Sequence, residues 1–502
     1  MSTDTSVSSD QPRTSAVRTI ARNTIFGVGA QIALKLASFL FNVIVINRLG
    51  GEEYGQYNLV LGWATLFSVI GDLGVTQYLA REIARDRRKN DELFWDTVAL
   101  RLVLAVLASL VTVGGAILLT DYSTEVIIGI AIFTGTYFFQ SVMTPLNSVL
   151  TGHERVDLVS IFNVIMQVLF MVIAGIFLYL GKDFIWLFVA GVINLPIVLA
   201  LQWWAVRRHQ MGPPRFKINP SLWWSVIKGG LPFGFIQLSL SFAFRVDVVL
   251  LGQFNFSDQE IGWYSAAYVN LTLTLLNITT SFNNAILPTL TREHAINPDT
   301  VRRWYYRSVK MMMFLGLPAA VGGMLIADKI VNLLYPELAP AAIALTILVW
   351  DIPLYMYHSF CGNVTQSIKH EKAAARIYGS LGVVNVILNL ILIPRFGMIG
   401  AAFSTVLTDL VGAAQFYFFL RREFGAGLGL NRLLRLALSA ALMGAVVLAL
   451  RQLQGFNEAV NFFFTVAIAA VAYLTFVWLS GAFSPEERAQ LIGFVRQRIR
   501  AT

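Results

Sequence analysis

Residues 97–119 read TVALRLVLAVLASLVTVGGAILL, an apolar run that one charge interrupts, Arg101. A helix needs about 20 mostly apolar residues to cross the hydrocarbon core of a membrane. Runs of comparable length recur along the chain and predict an all-α integral membrane protein. We expect about fourteen transmembrane helices, at 24–47, 57–80, 97–119, 125–150, 157–180, 184–206, 226–254, 262–288, 309–327, 341–368, 374–393, 397–420, 432–450 and 458–480.

The composition supports a membrane protein. Of the 502 residues, 56% are hydrophobic and only 13% are charged. Soluble domains carry about 25% charged residues. The single cysteine, Cys361, excludes an internal disulfide and a multi-cysteine metal site. No cleavable signal peptide is expected at the start of the chain.

Basic residues are distributed unevenly between alternate loops. With the N-terminus in the cytoplasm, thirty of the 38 Lys and Arg residues fall on the cytoplasmic side. Because cytoplasmic loops carry such an excess, both termini are expected in the cytoplasm of a multi-pass inner or plasma membrane protein. The net charge of +9 is then explained without nucleic acid as a partner.

The chain resembles itself at an offset slightly above 200 residues. Gly55-Gln56-Tyr57 matches Gly262-Trp263-Tyr264, and His153-Glu154-Arg155 matches His370-Glu371-Lys372. Such matches in constant order indicate an internal repeat. We expect two parallel six-helix lobes with a substrate path between them, followed by two C-terminal helices. The predicted divisions are a disordered cytoplasmic tail 1–23, N-lobe 24–208, inter-lobe linker 209–225, C-lobe 226–422, helices thirteen and fourteen at 432–480, and a cytoplasmic amphipathic tail 484–502.

Several stretches resemble the polysaccharide-biosynthesis flippases of the multidrug/oligosaccharidyl-lipid/polysaccharide exporter superfamily. They are LGGEEYGQYNLVLGWATLFSVIGDLGVTQYLAREIARD at 49–86, GHERVDLVS at 152–160, LPFGFIQLSLSFAFRVDVVLLGQF at 231–254, IGWYSAAYVNL at 261–271 and ILPTLTRE at 286–293. The resemblance implies export of an undecaprenyl-pyrophosphate-linked oligosaccharide from the inner to the outer leaflet by alternating access. Membrane lipids, a polysaccharide polymerase and glycosyltransferases are the partners this implies.

Charges inside the predicted spans are costly and therefore mark candidate sites. Arg245 and Lys35 suit an anionic lipid pyrophosphate, because cations bind phosphate oxygens. Lys35 has a structural alternative, an ion pair with Asp72. Arg48 lies at the outer end of the first span, and Asn270 and Asn277 share one face of the eighth span and are expected to line the cavity.

A second set of polar residues predicts ion coupling. Oxygen-bearing side chains suit a sodium ion, and a carboxylate also accepts a proton. The set comprises Asp247, Asp409, Asn385, Asn389 and Thr405. The resemblance also points to a sodium site in the second lobe, while hydrogen bonding between helices is the alternative. No organic cofactor is expected.

Two further functions need weighing. A cation-coupled multidrug antiporter of the same superfamily would favour carboxylates in its cavity, which the intramembrane Asp residues allow. A membrane enzyme is disfavoured, because the chain has no P-loop, GxSxG or HExxH motif and its longest loops, 207–225 and 289–308, are short.

Overall fold

The computed structural model describes residues 11–86, 89–209, 211, 218–296, 298–425, 430–451, 457–483, 485 and 487, and these are helical with short connections and no strand. Three single 3₁₀ turns occur, at Val69–Gly71, Pro220–Leu222 and Pro336–Leu338. The helices are α1 Gln11–Ser68, α2 Val75–Arg85, α3 Lys89–Leu119, α4 Thr124–Gly152, α5 Val156–Tyr179, α6 Ile185–Arg208, α7 Trp223–Gln253, α8 Asp258–Ser265, α9 Leu273–Ile296, α10 Pro298–Leu334, α11 Ala341–Leu348, α12 Asp351–Ser367, α13 Glu371–Phe424, α14 Leu430–Arg451 and α15 Glu458–Ser480.

Nine helices of the described chain are long and apolar enough to cross a membrane. Two of them are long: Leu34–Gly71 overlaps the first and second predicted spans, and Glu371–Phe424 contains the eleventh and twelfth. A straight helix of 54 residues would be about 81 Å long, against a hydrocarbon core of about 30 Å. Gly50 and Gly397 interrupt these helices with φ of 71° and 53°, a conformation that glycine adopts without a steric penalty.

Two more spans consist of bent pairs, which raises the number of candidate spans in the described chain to eleven. Ala341–Leu348 and Asp351–Ser367 meet at 41°, so the tenth predicted span, 341–368, is bent beside Asp351. Pro220–Ser239 and Phe244–Gln253 meet at 62°, so this bend follows Pro232 by more than a turn. The all-helical architecture is confirmed, and the count of fourteen stays a prediction.

The described part of helix α1 extends into the predicted disordered tail, residues 1–23. Helix α1 already begins at Gln11, because the segment around Ala16, Arg18 and Ala21 is rich in good helix formers. Residues 1–10 lie outside the described part. Of the amphipathic tail predicted from 484, residues 485 and 487 are described, and Glu487 forms an ion pair with Lys310 of α10.

The helices pack as two groups and a hairpin. Helices α3, α4 and α5 pack with α1, and α6 packs with α4 and α5. Helices α9 to α12 pack with one another, and α11 and α12 also pack with α13, which contacts α7. Helices α14 and α15 pack together and against α10. Large apolar side chains such as Leu118, Tyr179 and Leu479 are exposed, as expected where lipid replaces water.

Two close backbone contacts join the groups. In the first seam, Gly51 and Gly55 of α1 meet Asp258 and Gly262 of α8, and a Cβ on Gly55 or Gly262 would overlap the facing backbone. In the second seam, Gly74 lies against Gly230 and Gly234 of α7 with equally little room. Small residues allow helix backbones to approach this closely.

The repeat is visible in matching hydrogen bonds. Glu260, beside Gly262, accepts a bond from the backbone N–H of Met398 at 2.8 Å, where the twelfth predicted span begins. Glu53, two residues before Gly55, accepts one from the backbone N–H of Phe184, where the sixth span begins. A glutamate at the equivalent position thus accepts a hydrogen bond from the start of the equivalent helix in each half of the chain.

Candidate functional site

Arg245 lies where α7 crosses α1. Its backbone oxygen is next to Gly62 of α1, and its guanidinium acts electrostatically on Tyr54 and Tyr57 of the same helix. The side chain is partly exposed, and its Nη1 atom is buried without a hydrogen-bond partner among the described residues. Because a buried guanidinium N–H without an acceptor is costly, this position favours an anionic ligand.

Asp247 points away from Arg245, as the two-residue spacing predicts. Its carboxylate accepts hydrogen bonds from the Tyr264 hydroxyl and, at 2.8 Å, from the backbone N–H of Val248. The Tyr264 hydroxyl lies 3.5 Å from the Thr405 hydroxyl of α13. Asp247 and Thr405 of the predicted ion set are therefore linked through Tyr264, which the sequence did not single out.

Asn385 and Asn389 of that set form a chain along α13. The Asn389 amide donates to the Asn385 side-chain oxygen at 3.0 Å, and the Asn385 amide donates to the Thr408 hydroxyl at 3.3 Å. Both asparagines are buried, and the Asn389 side-chain oxygen has no partner among the described residues. This free oxygen is available to a cation.

Asp409 is separated from the set with which it was predicted. Its Oδ2 atom lies 3.1 Å from Nε2 of His358 on α12, and its carboxyl is within hydrogen-bonding range of Asp351. The sequence analysis missed His358. The available signal was its spacing from Asp351, because residues seven apart share a helix face.

The suggested pair of Lys35 with Asp72 is wrong. Asp72 forms an ion pair with Arg101 of α3 at 2.7 Å, and Arg101 also donates to the hydroxyls of Thr76 and Thr144. Arg101, 29 positions from Asp72, reaches it because α3 packs against the break that precedes α2. Lys35 is exposed on α1, which leaves its ammonium accessible.

The remaining candidates differ in accessibility. Arg48 is exposed beside the Gly50 turn. Asn270 is 1% exposed, within a π-helical segment, Ala266–Thr272, and donates to the Tyr335 hydroxyl. Asn270 is therefore enclosed in this conformation, and its place in the cavity lining stays a prediction. The Asn277 side chain lies outside the described part.

Comparison with known proteins identifies relatives over almost the whole length. The model of the family described as polysaccharide biosynthesis protein matches residues 20–294, and the MatE model matches residues 232–391. The probable low-salt glycan biosynthesis flippase Agl15 of Haloferax volcanii is 23% identical over 470 residues, covering 91% of this chain and 93% of that protein. The probable flippase AglR of the same organism is 23% identical over 405 residues, covering 78% and 82%.

A solved structure shares the fold. The lipid II flippase MurJ in an inward closed conformation superposes with a TM-score of 0.76 at 14% identity, covering 90% of this chain and 98% of MurJ. The resemblance seen in the sequence is confirmed. Because the first family model spans more than half of the 502 residues, the chain belongs to the polysaccharide biosynthesis protein family of the multidrug/oligosaccharidyl-lipid/polysaccharide exporter superfamily.

Proposed function

We propose that this protein is a flippase that moves a lipid-pyrophosphate-linked oligosaccharide from the inner to the outer leaflet for surface polysaccharide synthesis. The observation that carries the proposal is Arg245, whose buried Nη1 atom lacks an acceptor at the crossing of α1 and α7. A planar guanidinium binds phosphate oxygens bidentately. The names of the Haloferax relatives and of MurJ support the same class of transport.

Accessible cations extend the proposed phosphate path. Lys35 and Arg48 lie on the same helix, and both are exposed. In this proposal Lys35 contacts the pyrophosphate during entry, Arg245 holds it between the lobes, and Arg48 receives it near the outer surface. Loss of the hydration shell at each step is offset by a charge-assisted hydrogen bond.

An apolar groove suits the lipid part of the substrate. It has a volume of about 490 Å³ and lies between α10, α12, α13 and α14, with Met313, Leu354, Leu410 and Leu433 among its lining residues. The isoprenoid chain would remain in this groove or in the bilayer beside it while the saccharide crosses between the lobes.

The two seams supply the gates of alternating access. The first seam, at Gly51 and Gly55, and the second, at Gly74, join the two helix groups at separate places. Opening one seam while the other stays closed would expose Arg245 to one side of the membrane at a time. The protein would act in the plasma membrane with both termini in the cytoplasm, together with glycosyltransferases and a polysaccharide polymerase.

A sodium ion is the proposed coupling ion at Asp247, Asn385, Asn389 and Thr405. The support is the carboxylate of Asp247 and the unpartnered oxygen of Asn389, since sodium prefers oxygen ligands. Binding at these residues would tie α7 to α13. Without the ion, these same residues hold the helices through hydrogen bonds.

Reconstitution tests the function directly. Purified protein in liposomes should move a fluorescent undecaprenyl-pyrophosphate-linked trisaccharide between leaflets, measured by reduction of the fluorophore on the outer face. Protein-free liposomes and liposomes containing an unrelated membrane protein are the controls. Flipping no faster than in these controls would overturn the proposal.

A multidrug antiporter is the second candidate, favoured by the match of the MatE model to residues 232–391 and by the carboxylates in that region. It predicts sodium- or proton-driven efflux of a fluorescent organic cation from a drug-sensitive host. Efflux of that cation, without flipping of the trisaccharide lipid, would replace the flippase proposal.

A further inference from the structure

Three titratable side chains meet inside the C-terminal group of helices. Asp351 is the first residue of α12, His358 follows two turns later, and Asp409 faces both from α13. His358 Nε2 lies 3.1 Å from Asp409 Oδ2, and the carboxyls of Asp409 and Asp351 are within hydrogen-bonding range. We name these residues the acid–histidine cluster.

The cluster is buried and incompletely hydrogen-bonded. Asp351 is 1% exposed, and the His358 and Asp409 side chains are 6% and 15% exposed. Asp351 Oδ1 and both imidazole nitrogens have no hydrogen-bond partner in the described chain, since the His358–Asp409 contact lacks hydrogen-bond geometry. Unpartnered polar atoms at such depth are rare unless a ligand or a proton uses them.

The described surroundings of the cluster contain no basic side chain that acts on it. The titratable groups that face the cluster are Tyr268 of the π-helical segment, Tyr355 of α12 and Tyr378 of α13. Helix α10 contributes Tyr305, which is bonded to Tyr357 instead. Among the described residues, no Lys or Arg acts on Asp351, His358 or Asp409.

Two carboxyls in contact without a cation cannot both be ionised, so they share a proton. We propose that the acid–histidine cluster is a proton-binding site that takes up and releases one proton in each transport cycle. The proton lies between the carboxyls of Asp351 and Asp409 when the site is closed. Its release leaves both carboxyls ionised, and two adjacent carboxylates need water or an imidazolium at His358.

The location couples this proton to movement of the helices. Asp351 lies at the break where α11 and α12 bend by 41°, and Asp409, the most exposed member, provides the point of entry. The apolar groove lies on the other side of the same segments, through Pro353 and Leu410. Release of the proton would favour a state in which the break between α11 and α12 opens and admits water. An isoprenoid chain bound in the groove would favour the closed state.

The first test is independent of transport. Infrared difference spectra of the purified protein between acidic and alkaline pH should contain a protonated-carboxyl band that both Asp409→Asn and Asp351→Asn remove. Asp157→Asn, on an exposed carboxylate, is the control and should leave the band unchanged. Persistence of the wild-type band in both cluster variants would overturn the proposal.

The second test rests on the proposed flippase function. In liposomes, a transmembrane pH gradient should accelerate wild-type flipping of the fluorescent undecaprenyl-pyrophosphate trisaccharide. His358→Gln and Asp409→Asn should abolish the acceleration and keep gradient-free exchange. Absence of any wild-type flipping refutes the flippase function, whereas flipping that ignores the gradient refutes the proton site.

Discussion

The two helix groups bury charge in opposite ways. In the N-terminal group, Asp72 is neutralised by Arg101 and accepts a hydrogen bond from the Thr76 hydroxyl, although the Nε atom of Arg101 has no partner among the described residues. In the described part of the C-terminal group, Asp351 and Asp409 contact each other and His358, with no cation paired to either carboxyl. An ion pair of opposite charges fixes local structure, whereas two carboxyls without a cation are free to exchange a proton. Burial alone therefore does not identify the functional charge, and pairing decides it.

The paired cluster also has a clear structural task. Asp72 accepts hydrogen bonds from the Thr76 backbone and hydroxyl, across a break where Leu73 and Gly74 have φ of 46° and 75°. Positive φ is strained for a residue such as Leu73 and persists only where neighbouring contacts hold it. Arg101 thereby holds the backbone that forms the second seam.

The largest expected effect comes from breaking this pair. Arg101→Met leaves the Asp72 carboxylate without its cation and should cost about 3–5 kcal/mol of stability. The unfolding temperature in detergent is the measurement. The double variant Asp72→Asn/Arg101→Met should recover most of the loss, because removal of both charges leaves neither uncompensated. An unchanged unfolding temperature in Arg101→Met would contradict the structural role.

The next effect is at the second seam. Gly74→Ala places a methyl group against Gly230 and Gly234 at a residue with positive φ. It should lower the free energy of unfolding by about 1–3 kcal/mol. Trisaccharide-lipid flipping should fall with it, because the seam can no longer close. Gly114→Ala is the matched control, since its Cβ would meet nothing within 4 Å. If Gly74→Ala and Gly114→Ala flip the lipid at the same rate, the second seam has no role in the transport cycle.

A smaller effect is expected at the proposed sodium site. Asn389→Ala removes the free buried oxygen and should raise the sodium concentration for half-maximal flipping about tenfold. This corresponds to a loss of about 1.4 kcal/mol of sodium-binding free energy. Asn363→Ala, on α12, is the control and should leave this concentration unchanged. Flipping that is independent of sodium in the wild type would refute this site without affecting the acid–histidine cluster.

The smallest stability effect completes the comparison. Asp409→Asn keeps the shape of the side chain and leaves no cation unpaired, so it should change stability by less than about 1 kcal/mol. The measurement is the unfolding temperature of Asp409→Asn in detergent, compared with that of Arg101→Met. Equal losses in the two variants would show that both clusters are structural.

Apolar runs predicted the helices well, because a membrane span requires a long apolar segment. They also located the breaks near Gly50 and Gly397, which fall at the limits of predicted spans, but not the bend beside Asp351 inside the tenth predicted span. The partners of buried charges were not predictable in the same way. Arg101 and His358 meet their carboxylates through packing between helices, which local periodicity does not encode. The π-helical segment that contains Asn270 was also not predictable, because no local sequence pattern marks it.

Recognition of phosphate by Arg245 between the lobes is the central claim. The most direct measurement compares flipping of one trisaccharide on two lipids, undecaprenyl pyrophosphate and uncharged undecaprenol, in liposomes with wild-type protein or Arg245→Gln. Wild type should prefer the pyrophosphate lipid at least about tenfold, the scale of one charge-assisted hydrogen bond. Arg245→Gln should lose that preference at an unchanged unfolding temperature. A preference that survives in Arg245→Gln would contradict the claim.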